Sequence, residues 1–335
     1  MRIVALDLVR FFAAMSVVLY HYISPEELTS FPVLSQLTDF GYLGVPLFFI
    51  ISGYVIALSA NNRTPWEFAS SRAVRLYPAL WAGILFTTLI STLLTNSKVS
   101  LFQVLSNATL LNDYLGYENI DGVYWTLKAE LKFYACMFIL LLTGVFHQYK
   151  IWLSLWMLLT ISFTFYKQPF FMGWFISPEY SSFFIAGICY YLIQSNQHKV
   201  FASYLLAISL ITSLYNSYQQ ISHFVNSPSQ THQHLTLIII SLFYYLFLQM
   251  SLGRMKLKQR KIYVTLGALT YPLYLIHNLA GKEIIAALTH YLPMPITVII
   301  VILFMLSIAY LIHYYVENKV ASPLKSFLLG KSLRT

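Results

Sequence analysis

The sequence predicts an all-α, polytopic membrane protein with about ten transmembrane helices and both termini in the cytoplasm. The chain has 335 residues, of which 58% are hydrophobic and only 10% are charged. Apolar runs long enough to cross a bilayer recur along its whole length. A bilayer core offers no water to unpaired backbone groups, so such segments form helices or a closed barrel, and these runs lack the alternation of barrel strands.

The expected spans follow one another from the first residues almost to the end of the chain. They cover residues 3–22, 41–59, 77–95, 128–147, 151–167, 179–194, 200–217, 234–252, 262–281 and 296–316. The first is not a cleaved signal peptide, because charges interrupt it and no clear cleavage site follows. Residues 96–127 and 218–233 are expected outer loops. The pattern contains no repeat and no soluble segment, which predicts one transmembrane domain over residues 1–335 without a fused soluble domain.

The net charge of +9 is interpreted as a topology signal. With the N-terminus inside, the outer ends carry only Lys98, Lys167 and Lys282. The inner ends carry Arg2, Arg63, Arg72, Arg75, Lys150, Lys199, Arg254, Lys256, Lys258, Arg260, Lys261, Lys319, Lys325, Lys331 and Arg334. This asymmetry favours cytoplasmic termini and anionic membrane lipid as a partner, and it argues against nucleic acid.

The first span contains three titratable residues on one stripe. Arg10 and His21 are eleven residues apart and differ by about 20° around a helix, while Asp7 and His21 differ by about 40° the other way. About 16 Å of helix separates Arg10 from His21. Ionisable residues in a span are costly and usually face a cavity or a partner. The stripe is therefore either one wall of a polar cavity or a structural Asp7–Arg10 pair with an interfacial histidine.

Four further stretches stand out in order along the chain. They read FGYLGVPLFFIISGYVIAL (Phe40 to Leu58), SSRAVRLYPALW (Ser70 to Trp81), GVYWTLKAELKFY (Gly122 to Tyr134) and YPLYLIHN (Tyr271 to Asn278). With Arg10, ten intervening residues and His21, the ordered set resembles the acyltransferase-3 family of integral membrane acyltransferases. Members of that family move acyl groups, commonly acetyl from acetyl-CoA, onto hydroxyls of surface glycans and other acceptors. The resemblance covers essentially the whole chain.

The resemblance implies roles for individual residues. The family's motif positions fall on Arg10, His21, Arg72, Arg75, Glu130 and His277. Thr126 replaces a serine of the family's Trp-Ser-Leu-x-x-Glu motif and keeps the hydroxyl. Glu317 matches a glutamate that the family often follows closely with proline, whereas here Pro323 comes six residues later.

Arginines on the cytoplasmic side are the expected binding residues for acetyl-CoA, the acyl donor. Arg72 and Arg75 come before the third span, and arginine forks bind phosphate bidentately. Arg10 would line the channel and hold the pantetheine arm, or else pair with Asp7. The other interpretation of Arg72 and Arg75 is that they only set the topology.

The expected catalytic residues, His21 and Glu130, fall in the outer half. His21 would take a proton from a hydroxyl or carry the acyl group as an acyl-imidazole. Glu130 would orient the imidazole, or else only cap a helix. Asp7 and His277 are supporting residues, and His277 is equally well explained as a hydrogen-bonded structural histidine. No metal site is predicted.

The sequence thus predicts an O-acyltransferase of the bacterial inner membrane. Its expected partners are acyl-CoA, an envelope polysaccharide or lipid-linked glycan such as O-antigen or capsule, and membrane lipid, without nucleic acid. Three alternatives stay open. The chain could be a transporter or flippase for a glycan or lipid intermediate, an assembly factor that keeps the fold without catalysis, or an acyltransferase with a cytoplasmic acceptor.

Overall fold

Regular structure is helical throughout the part of the chain that the computed structural model describes, residues 4–23, 36–175, 177–255, 258 and 260–329. Within these ranges no residue lies in a β-strand, which confirms the predicted all-α class. The topology residues Arg2, Lys256, Lys331 and Arg334 lie outside the described residues.

Fourteen α-helices follow one another along the described chain. They are α1 (Val4–Tyr22), α2 (Gly44–Ala60), α3 (Pro65–Thr95), α4 (Leu101–Thr109), α5 (Tyr124–Leu142), α6 (Tyr149–Tyr166), α7 (Met172–Phe175), α8 (Pro178–Gln194), α9 (Lys199–Phe224), α10 (Gln230–Ser251), α11 (Lys261–Ile276), α12 (Leu279–Leu288), α13 (Met294–Leu311) and α14 (Asn318–Leu328). Short 3₁₀ helices cover Gly41–Leu43 and Asn112–Leu115. A π-helical turn, Ile312–Glu317, joins α13 to α14.

Among the residues that the structure describes, six helical segments are long and apolar enough to cross a membrane, consistent with a multi-pass membrane protein. They are Ala5–Tyr22, Gln36–Ala60, Pro65–Thr95, Lys199–Phe224, Gln230–Ser251 and Met294–Leu328. The other four expected spans fall on α5, α6, α8 and α11, which have 19, 18, 17 and 16 residues. The total of about ten spans and the side of each terminus stay predictions.

Several boundaries differ from the sequence prediction, and the expected outer loop 96–127 contains helix α4. Helix α3 begins at Pro65 and so includes Arg72 and Arg75, because a helix can extend beyond its apolar run. The expected span 262–281 breaks after Ile276, and a second helix, α12, follows. The expected outer loop 218–233 is largely helical, since α9 continues to Phe224 and α10 begins at Gln230.

The chain divides into two compact units. The first unit comprises residues up to 6, 42–65 and 132–259, and the second comprises 7–41, 66–131 and 260 onwards. A compact unit need not be a separate domain, so the single-domain interpretation stays a prediction. The second unit contains every expected site residue: Asp7, Arg10, His21, Arg72, Arg75, Glu130 and His277.

Close helix packing holds the first unit together. A Cβ added to Gly187 of α8 would lie 2.6 Å from the backbone nitrogen of Tyr54 and 2.8 Å from Cα of Gly53, both in α2. These glycines therefore let the two helix backbones touch, as small residues do in membrane proteins. Aromatic rings fill the space beside this contact, with Phe184 4.7 Å from Phe49 and 4.5 Å from Phe133 between centroids.

Candidate functional site

The end of α11 holds a histidine with one hydrogen bond and one bare nitrogen. His277 is 0% exposed, and its Nδ1 lies 2.8 Å from the carbonyl oxygen of Tyr274. A carbonyl oxygen only accepts, so Nδ1 carries the proton. Nε2 is buried without a hydrogen-bond partner. The imidazole is thus held in one tautomer, with the lone pair of Nε2 available to a donor.

Two residues distant in sequence, Tyr22 and Asp121, hold the chain around His277. The Tyr22 hydroxyl at the end of α1 donates to the carbonyl oxygen of His277 at 2.8 Å. Asp121, which precedes α5 and is 0% exposed, accepts from the side-chain amide of Asn278 at 2.7 Å and from the backbone N–H of Leu279 at 2.8 Å. Asp121 therefore takes up a first-turn donor of α12, where the helix dipole favours a carboxylate. The expected span breaks at this point.

His21 lies next to His277. The centroids of the two rings are 5.3 Å apart, and the ring planes are tilted by 46°. Nδ1 of His21 lies 3.4 Å from Nζ of Lys282 in α12. Burial lowers the pKa of the Lys282 ammonium below its usual value. The structure thus brings together one histidine that the sequence predicts as catalytic and one that it predicts as supporting.

A missing side chain makes room for this arrangement. A Cβ on Gly281 would lie 2.6 Å from Cε1 of the Tyr22 ring, which is closer than Cβ atoms come to other atoms in real proteins. Only glycine therefore lets Tyr22 pass α12 and reach the carbonyl of His277.

The segment around Glu130 meets the same part of α11. The Thr126 hydroxyl lies 2.9 Å from the Tyr274 hydroxyl, one helical turn before Glu130 on α5. Glu130 is half-buried and close enough to act electrostatically on Tyr274. The structure thus places Glu130 near the residue whose carbonyl holds His277. Contact between Glu130 and His21 stays a prediction.

The predicted phosphate-binding arginines lie on α3. Nη1 of Arg75 lies 3.1 Å from Oε1 of Glu317, whose Oε2 lies 2.6 Å from Nδ1 of His313. The Arg75 guanidinium also lies 5.4 Å from the centroid of the Tyr271 ring. Nε of Arg72 lies 3.3 Å from the Ser71 hydroxyl. Arg75 thus belongs to a polar cluster that includes the π-helical turn.

Asp7 and Arg10 occupy the first part of α1. Asp7 is buried and packs against α11, where a Cβ on Gly267 would lie 2.9 Å from its Cα. Arg10 is half-buried. Whether Arg10 lines a channel or pairs with Asp7 stays a prediction.

Sequence reasoning missed Asp121, Lys282 and His313 as members of these clusters. Asp121 gives one local signal, because its carboxylate accepts from the backbone N–H of Val123 at 3.1 Å in the manner of an Asx turn before a helix. That signal predicts where α5 begins. It says nothing of a contact with Asn278, 157 residues later.

Comparison with known proteins identifies the family of the chain. The model of a family described as "Acyltransferase domain", acyltransferase-3, matches residues 3–314. The chain is 30% identical over 105 residues to "Exopolysaccharide production protein ExoZ" of Rhizobium meliloti (strain 1021). That match covers 28% of this chain and 32% of the relative, so the chain spans about a third of the relative's length. No solved structure matches the chain. From the match over nearly its whole length, the chain belongs to the acyltransferase-3 family.

Proposed function

We propose that this protein is a membrane O-acyltransferase that moves an acyl group from cytoplasmic acyl-CoA to a hydroxyl of an extracytoplasmic polysaccharide, such as O-antigen or capsule. Acetyl is the proposed acyl group. The observation that carries the proposal is the pair of imidazoles, His21 and His277, 5.3 Å apart within a chain of the acyltransferase-3 family. The similarity to a protein named for exopolysaccharide production supports a polysaccharide acceptor.

Arg72 and Arg75 would bind the phosphates of the donor, and Arg10 the pantetheine arm. Arg75 is suited to this role because its side chain is 44% exposed while its partner, Glu317, is 10% exposed. A phosphate that approaches Arg75 would replace the Glu317 carboxylate as the partner of the guanidinium. His313 would retain Glu317, since it contacts the other carboxylate oxygen.

His21 would act at the reacting end, either as a general base or as the carrier of the acyl group. Both roles need a ring nitrogen with a free lone pair. Nδ1 of His21 faces the Lys282 ammonium, so Lys282 must move away before that nitrogen reacts. Glu130 would stabilise the imidazolium, and Asp7 and His277 would support the site.

The proposed setting is the bacterial inner membrane. The protein would cross it with about ten helices and both termini in the cytoplasm, as one transmembrane domain. Basic inner ends would contact anionic lipid. The donor substrate would be acetyl-CoA, and no metal takes part in the proposed chemistry.

The test compares the wild type with His21→Ala in the native host lacking its own copy of the gene. Membrane levels are matched, and O-acetyl groups on the surface polysaccharides are measured by NMR. His290→Ala is the control, because His290 is exposed near the end of α12 and belongs to neither cluster. We expect the acetyl signal to disappear only with His21→Ala.

Unchanged acetylation with His21→Ala would contradict the role of His21. Unchanged acetylation in the host without any copy would contradict acyl transfer to these glycans. The buried carboxylates Asp7 and Asp121 would then favour a transporter for a glycan or lipid intermediate.

A further inference from the structure

We infer that Nε2 of His277 receives the proton of the glycan hydroxyl, and that Asp121 is the positioning residue that holds His277 for this step. The inference rests on the proposed acyl transfer. It makes His277 a catalytic residue rather than a support for His21.

The two ring nitrogens of His277 are in different states. A buried polar nitrogen without a partner is unfavourable, and most buried polar groups in proteins are hydrogen-bonded. His277 satisfies Nδ1 with the carbonyl of Tyr274 and leaves Nε2 without a partner. Since Nδ1 carries the proton, Nε2 can only accept. The ring is therefore ready to receive a proton before any substrate arrives.

A second bare acceptor lies on the next residue. Oδ1 of Asn278 is also buried without a hydrogen-bond partner, because its amide nitrogen is used by Asp121. A sugar carries several hydroxyl donors, whereas a transferred acetyl group carries none. The two acceptors therefore suit the glycan rather than the acetyl group.

Asp121 fixes both acceptors through its own hydrogen bonds. One carboxylate oxygen orients the Asn278 amide at 2.7 Å, and the other holds the Leu279 N–H at 2.8 Å. With the Tyr22 hydroxyl on the carbonyl of His277, the backbone on both sides of the imidazole is held. The buried negative charge of Asp121 also stabilises the imidazolium that forms when Nε2 takes a proton.

The glycan oxygen attacks the acyl carbon and forms the new C–O bond, while its proton passes to Nε2 of His277. The bond from the acyl carbon to its leaving atom breaks, and the electron pair stays on that atom. The leaving atom is the thioester sulfur in direct transfer, or a ring nitrogen of His21 if His21 carries the acyl group. The imidazolium of His277 then returns the proton to the leaving group.

The first experiment uses membranes of the native host that contain the full-length protein, with labelled acetyl-CoA as donor and the endogenous surface polysaccharide as acceptor. We expect His277→Gln to lower the transfer rate by at least about 100-fold at unchanged KM for acetyl-CoA, as loss of a general base does. His290→Gln is the matched control and should transfer at the wild-type rate. Transfer by His277→Gln within about threefold of wild type would overturn the inference.

A second variant separates chemistry from folding. His277→Gly leaves a space of imidazole size, so added imidazole should restore transfer in proportion to its concentration and to its unprotonated fraction. A structural role predicts no such rescue. Absence of rescue in His277→Gly that is inserted at wild-type levels would therefore overturn the proton-transfer role.

Asp121 is tested through its dependence on His277. Asp121→Asn should lower the transfer rate about tenfold in the wild type and have almost no effect in His277→Gln, because a positioning residue acts only through the group that it holds. Equal effects in both backgrounds would overturn the role of Asp121. If His21→Ala abolishes transfer while His277→Gln does not, the inference fails and the proposed function stands. If deletion of the gene leaves transfer unchanged, both fail.

Discussion

The two compact units bury polar groups of different kinds. In the described part of the first unit, the buried polar side chains carry no charge, and they are Thr160, Ser181, Ser182, Ser209, Thr212, Ser213, Asn216, Thr236 and Ser251. The second unit buries Asp7, Asp121, Lys128, His277 and Glu317. Burying an ionisable group is expensive, and the cost is usually tolerated where the group has a function. This difference is what the proposed function requires, with packing in the first unit and the proposed chemistry in the second.

Hydroxyl networks of the first unit show what packing requires. The Ser213 hydroxyl lies 2.8 Å from both the Ser182 hydroxyl and the Tyr244 hydroxyl, and Tyr190 donates to the carbonyl of Tyr244 at 2.8 Å. Each of these groups is satisfied within the unit. No atom of this network is left without a partner, although the Tyr149 hydroxyl elsewhere in the first unit is buried without one, as Nε2 of His277 is in the second unit.

The largest expected effect concerns stability alone and falls in the first unit. Gly187→Ala should lower the free energy of unfolding by about 3 kcal/mol, because the added Cβ meets backbone atoms that cannot move aside. Thermal unfolding in detergent measures the change. Gly173→Ala is the control, since the nearest atom to its Cβ lies at 3.9 Å, and it should not be destabilising. Equal stability of the two variants would contradict the close α2–α8 contact.

The next effect concerns donor binding in the second unit. Arg75→Ala should raise KM for acetyl-CoA about 30-fold with little change in kcat or in thermal stability, because a charge-assisted hydrogen bond to phosphate is lost. Arg75→Lys should recover part of the affinity, since it keeps the charge but not the fork. Arg63→Ala, which removes an exposed charge from the first unit, is the control. A rise in KM of equal size in the control would mean that Arg75 contributes only general electrostatic attraction of acetyl-CoA and does not bind its phosphates directly.

Removing the charge of Glu317 should change KM for acetyl-CoA in the direction opposite to the loss of Arg75. Glu317→Gln should lower KM for acetyl-CoA about tenfold, because the carboxylate no longer competes with phosphate for Arg75. Steady-state kinetics in membranes would measure it. A higher KM would mean that Glu317 presents Arg75 to the donor instead of withholding it.

The smallest effect returns to the first unit. Ser213→Ala should cost about 1 kcal/mol of stability, as the loss of a buried hydrogen bond does, and leave kcat and KM unchanged. Thermal unfolding and transfer assays on the same preparation test both parts. A fall in kcat at wild-type stability would show that the first unit also takes part in the reaction.

Local sequence patterns predicted the helical class. Apolar runs indicated the helices, but Arg72 and Arg75 were expected before the third span and lie within α3. The meeting of His21 with His277 could not be predicted from the residues alone, because contacts 256 residues apart depend on how helices pack. Asp121 was overlooked for the same reason.

At the break between α11 and α12, the hydrophobic pattern of the sequence wrongly predicts one continuous helix. The apolar run continues through Ile276 and beyond, and proline occurs at Pro272, where the helix does not end. The helix ends instead where the Asp121 carboxylate takes the Leu279 N–H. A partner distant in sequence therefore decides this boundary, which local propensity cannot show.

The π-helical turn at Ile312–Glu317 has a consequence for how this segment tolerates changes in length. A π turn accommodates one residue more than an α turn, and each residue advances a helix by about 100°. The angular phase of Glu317 relative to α13, and so its position beside Arg75, depends on that extra residue. A regular α-helix of the same length would carry Glu317 past this position by about one residue, more than a quarter of a circle. A one-residue deletion that removed the π turn would therefore leave Glu317 close to its present phase. The π turn, as much as the identity of Glu317, thus places its carboxylate on the guanidinium.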